Sequence, residues 1–90
     1  MLGFRYHYGM GLSYERQGYI YFVCRAFCRL DRESQEKIRQ AAEDRCGEYA
    51  EAVLALVTTG DSYQWVASRY YISVNTLYRM VTEFYQHFPL

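Results

Sequence analysis

Residues 61–88 read DSYQWVASRYYISVNTLYRMVTEFYQHF, and their spacing sets the fold expected of the whole chain. Tyr63, Val66, Ala67 and Tyr70 recur at intervals of three and four, which predicts a helix with that stripe turned inward. Asp61 is its expected N-cap, with Gln64 placed three residues on for the return bond of a capping box. Beyond Tyr71 and Ile72, Ser73 is a second N-cap, and Val74, Leu77, Val81, Phe84 and Phe88 mark the inward face of a second helix. Pro89 closes that helix.

Two helices that meet steeply through a short turn need four things: a small residue on the first where the second presses, an apolar plug in the turn, a cap that starts the second helix at once, and an apolar anchor one turn later. Ala67, Ile72, Ser73 and Leu77 supply them in that order. The run Ile72, Ser73, Thr76, Leu77, Tyr78 and Arg79 resembles the start of the recognition helix in the small DNA-binding domain of resolvases and invertases, a helix-turn-helix. This resemblance spans about 25 of the 90 residues and implies a mode of binding duplex DNA. One position departs from the pattern. Such turns usually place glycine before the plug because that residue takes a positive φ; here it is Tyr71, and the expectation is a longer or differently shaped turn.

With its apolar stripe inward, the second helix presents Asn75, Thr76, Tyr78, Arg79 and Thr82 on the opposite face. Asn can pair bidentately with adenine and Arg with guanine, while Thr can touch a thymine methyl or a phosphate. Ser73 and the free amides at the helix start add a phosphate site. The bland alternative is an ordinary solvent-facing set of polar residues. Charge sharpens the choice. Arg5, Arg16, Arg25 and Arg29 against Glu15 leave residues 1–30 at +3, whereas Arg69 and Arg79 against Asp61 and Glu83 leave residues 61–90 neutral. Phosphate neutralisation supplies most non-specific affinity, so Arg5, Arg16 and Arg69 are candidate phosphate contacts beside the motif.

The rest of the chain reads as support. Residues 1–18 interleave Gly3, Gly9, Gly11 and Gly18 with Phe4, Tyr6, Tyr8 and Tyr14, the composition of an arm, best explained as laid over the domain by its aromatics. Ile20, Val23, Phe27 and Leu30 keep helical spacing inside a stretch that is also rich in strand formers, and length decides for a helix. Asp31 caps a helix marked by Ile38, Ala41, Ala42 and Arg45 that ends near Gly47. Another runs from about residue 48 to 57 with Tyr49, Ala50, Val53, Leu54 and Val57 inward.

Little else carries chemistry. Cys24 and Cys28 would share one face of a helix, but no second matching pair completes a zinc site, so Cys24, Cys28 and Cys46 are expected to be core thiols. The acidic run Glu43, Asp44, Glu48 and Glu51 lacks a partner base or nucleophile and reads as a solvated face. The longest apolar run, residues 19–24, is too short to span a membrane, and no secretory leader is evident.

The expectation is therefore a single all-α domain over residues 1–90 with about four helices: an aromatic N-terminal arm (1–18), helical support (19–60) and a C-terminal helix-turn-helix (61–88). The expected function is binding of double-stranded DNA by a small cytoplasmic accessory or regulatory factor of a phage or mobile element. It is expected to need no cofactor or metal, to catalyse nothing, and to act as a homodimer or with a protein partner through its aromatic N-terminal third. The alternative is a protein-interaction module that keeps the helix-turn-helix shape without binding DNA.

Overall fold

The computed structural model describes residues 4–90, which form an all-α domain. Its helices are α1 (Tyr14–Arg25), α2 (Arg32–Cys46), α3 (Ala50–Thr59), α4 (Tyr63–Arg69) and α5 (Val74–Gln86), with short 3-10 turns at Tyr8–Met10, Phe27–Arg29 and Gly47–Tyr49. The fold class is as the sequence implies, with five helices where about four are expected. The Cα radius of gyration, 12.1 Å, is that of a compact 90-residue domain, about 12 Å, so the arm is folded against the body. No helix among the described residues is long and apolar enough to cross a membrane.

α3 is the hub. It packs on each of the other four helices, and five of its ten residues, Ala50, Ala52, Val53, Leu56 and Val57, are buried. A helix enclosed on several sides must be apolar on several faces, which is why the one-stripe expectation missed Ala52 and Leu56. Ile20 and Cys24 of α1, Ile38, Ala42 and Cys46 of α2, and Leu77, Val81 and Phe84 of α5 close the core around it. The chain reaches α3 slightly later than expected: Gly47 takes φ 53°, open to glycine, and a 3-10 turn intervenes before α3 starts at Ala50.

Four helices begin on side-chain caps. Ser13, Asp31, Ser62 and Ser73 each accept a hydrogen bond from the amide three residues on. Asp31 and Ser73 are as the sequence predicts. For α4 the cap is Ser62 and not Asp61, because Gly60, at φ 82°, ends α3 and leaves Asp61 as a one-residue link whose amide donates to Thr59 Oγ1. Ser13 starts α1 at Tyr14, so the arm ends at residue 13 instead of 18. α1 stops at Arg25, and Ala26 tightens onto the Phe22 and Val23 carbonyls. Cys28 consequently falls in the following 3-10 turn and is exposed; only Cys24 and Cys46 are core thiols. Burial pushes Cys24 up to about 12, and burial with the nearby Glu83 charge pushes Cys46 up to about 11, so both stay protonated at neutral pH.

One buried polar group ties the arm down. Gln17 is fully buried; its Nε2 donates to the carbonyls of His7 (2.9 Å) and Leu12 (3.1 Å), and its Oε1 accepts from the His7 amide (2.8 Å). Gln86 of α5 donates to the Met10 carbonyl, and the Met10 side chain is buried in the core. These bonds satisfy backbone groups that burial would otherwise leave unpaired.

Tyr71 carries the correction of most consequence. It adopts the left-handed conformation that the sequence argues against, at φ 60°, the one described non-glycine residue with positive φ. Its amide donates to the Ser68 carbonyl, and the next amide, of Ile72, reaches back to Ala67 at 3.0 Å; together these two bonds form a Schellman ending to α4. The turn thus keeps its short form with tyrosine in the glycine position. The side chain is 95% exposed, so it contributes no buried area against a conformational cost of about 1–2 kcal/mol. Tyr71→Gly should therefore stabilise the domain by about 0.5–1 kcal/mol, after allowance for the greater chain entropy of glycine. Urea denaturation checks this; a loss of stability would mean that the tyrosine ring does work the turn depends on.

Candidate nucleic-acid interface

The unit that could meet DNA is α4, residues 70–73 and α5. Ser73 Oγ accepts from the Thr76 amide at 3.0 Å, which starts α5 directly after the turn. Leu77, Val81 and Phe84 are fully buried or nearly so and hold α5 on the core, while α4 grips it through Val66 and Ala67. Ile72 is half-buried against the core, in the position of the plug. Val74 departs from its expected inward place: at 40% exposed it stands on the outer side of the first turn, since the core closes behind Leu77 one turn later.

The expected contact residues separate into two sets. Ser73, Asn75 and Arg79 are exposed, and Asn75 and Arg79, four apart, share one face of α5. Neither of those two side chains makes a hydrogen bond or ion pair with the described residues, so both can be offered to a ligand. Thr76, Tyr78 and Thr82 are half-buried. The Ser73 hydroxyl donates to Thr76 Oγ1 at 2.9 Å. The Tyr78 ring lies 5.6 Å from His7 and 5.9 Å from Tyr63, held beneath the arm. Thr82 Oγ1 is buried and has no hydrogen-bond partner among the described residues.

The arginines divide likewise. Arg5 and Arg69 are exposed. Arg16 is engaged: it donates to the carbonyls of Leu90 and Phe88, both at 3.3 Å, and its guanidinium covers the Tyr19 and Phe88 rings. That clamps the chain's last residues onto α1 and takes Arg16 from the set available for phosphate. Two large aromatics on this unit are exposed, Tyr71 of the turn and, at 58%, Trp65, to which the sequence pattern assigns no role. The signal for Trp65 was its position off the inward stripe of α4. Among the described residues, no three His, Cys, Asp or Glu side chains converge as a metal site.

No protein-family model, curated protein or solved structure matches the chain.

The arm that covers Tyr78 carries its own titratable group. Burial first, and the Arg5 charge second, hold His7 below the ordinary imidazole value of 6.5. The unfolded chain then takes up the proton before the folded one does, so stability is complete above about pH 6.5 and declines as pH falls through the folded value. In denaturation measured between pH 7 and pH 5, His7→Gln should show a shallower decline than wild type; identical slopes would remove His7 from that account.

Proposed function

We propose that this chain is a small cytoplasmic DNA-binding protein that reads duplex DNA through the N-terminal half of α5, as an accessory or regulatory factor of the kind carried by phages and mobile elements. The observation that carries the reading is the short turn at Tyr71, which launches α5 from a serine cap with Asn75 and Arg79 unengaged on one outward face. In a major groove, Asn75 has the geometry for adenine and Arg79 for guanine, and the outward methyls of Val74 suit a thymine methyl. Ser73 and the first amides of this 13-residue helix favour a phosphate, with Arg69 and Arg5 as further cations. Half-sites are then read by a dimer, and the exposed Tyr14, Tyr19 and Phe22 of α1 are the surface available for a second copy. The mobile-element assignment rests on small size and the invertase-like run alone.

A second reading, a protein-interaction module, is favoured by one specific feature: Trp65, Tyr71 and Val74 are exposed within residues 61–90, a segment with no net charge.

Fluorescence anisotropy with mixed-sequence duplex across a salt series distinguishes the two. DNA binding is expected to weaken steeply with salt, at a log–log slope of about 0.9 per phosphate neutralised. On a selected site, Arg79→Ala should cost about 1–3 kcal/mol with less effect on non-specific duplex. Equal losses would reassign Arg79 to phosphate, and no binding at low salt would favour the protein partner.

A further inference from the structure

A cavity of about 190 Å³ opens behind the helix-turn-helix, between the arm, α1, the end of α3 and α5. Its inner side is apolar: Leu56, Val57 and Val81 are all buried. Its outer side carries two exposed cations, Arg5 and Arg25. Arg25 is fixed in place. Its Nη1 donates to the Tyr21 hydroxyl at 2.6 Å, and its guanidinium lies over both the Tyr21 ring and the Gly60 backbone, where a Cβ would stand 2.6 Å from Cζ.

Neither arginine has a carboxylate. The ion pairs among the described residues join Lys37 to Glu33, Arg39 to Glu36 and His87 to Glu83, and Asp61, though it lines the same cavity, pairs with neither arginine. A guanidinium held against Tyr21 beside apolar walls presents a fork that an oxyanion can meet with two parallel bonds. The space matches a small molecule: an engineered cavity of about 150 Å³ already holds benzene.

We propose that this cavity binds a small organic anion, with its carboxylate or phosphate on Arg25 and Arg5 and its apolar body against Leu56, Val57 and Val81. The site does not rest on the DNA reading, though it shares Arg5 with it, and α5 forms part of its wall. His7 and Tyr63, which line the cavity, are the rings that pack on Tyr78. An occupant therefore touches α5 directly at Val81 and Tyr85 and is separated from Tyr78 by one ring.

The test is an amide chemical-shift titration of the full chain with benzoate, phenyl phosphate and neutral benzyl alcohol. Benzoate or phenyl phosphate should give saturable shifts at Gly60, Asp61, Tyr63 and Tyr85, and which acid binds tighter identifies the head group. Benzyl alcohol should bind at least about tenfold more weakly, and Arg25→Gln and Arg5→Gln should each weaken the acid by about tenfold, the worth of a charge-assisted bond. Since both arginines are exposed, these variants are expected to keep the wild-type amide spectrum elsewhere. The proposal is overturned if neither acid gives saturable shifts up to about 10 mM, a range that reveals a Kd of about 1 mM or tighter. It is equally overturned if benzyl alcohol binds as tightly, or if both variants keep wild-type affinity.

Discussion

The hydrogen bond from the Ile72 amide to the Ala67 carbonyl sets the direction in which the chain leaves α4, and with it the start of α5. It can form only if Tyr71 takes a left-handed conformation, which no β-branched residue would accept without larger strain. The strain is held because both sides of the turn are anchored. Ala67 is buried before it and Leu77 after it, and the Ser73 cap leaves no slack between them. A longer turn would rotate α5 and re-aim the face that Asn75 and Arg79 share.

α3 provides the surface against which this geometry is set. It meets the other four helices, so the helix-turn-helix is one side of a single core and not an appended module. The arm completes that core from outside. Gln17 and Gln86 bind its backbone, Met10 fills the interior, and His7 with Tyr63 presses on Tyr78. Through this contact the N-terminal residues decide how much of α5 is open: Asn75 and Arg79 remain outside while Tyr78 is drawn under.

Much of this was legible in the sequence, and the exceptions have physical reasons. Asp31 and Ser73 could be recognised as caps because each precedes a well-formed helical pattern. Choosing between Asp61 and Ser62 required knowing that Gly60 is the residue that turns left-handed, which two adjacent cap formers do not reveal. Val74 fits the apolar repeat of α5, yet it lies in a first turn that extends beyond the core. Gln17 looked like any polar residue on α1, since its role is to bond backbone ten and five residues earlier, a tertiary requirement with no local signature. Asn75 and Arg79 were found by periodicity, whereas the engagement of Tyr78 and Arg16 depends on where the arm and the chain end come to rest. The cavity at Arg25 had no signal at all, because its lining comes from five separate segments.

The most direct test of the proposed DNA-reading face is an amide and side-chain NMR spectrum of the labelled protein with a mixed-sequence duplex at low salt. The expected result is that the largest changes cluster at residues 73–79, with the Asn75 side-chain amide and the Arg79 guanidinium among them. Changes confined to the arm and α1, or no changes at all, would contradict the assignment of α5 as the reading helix.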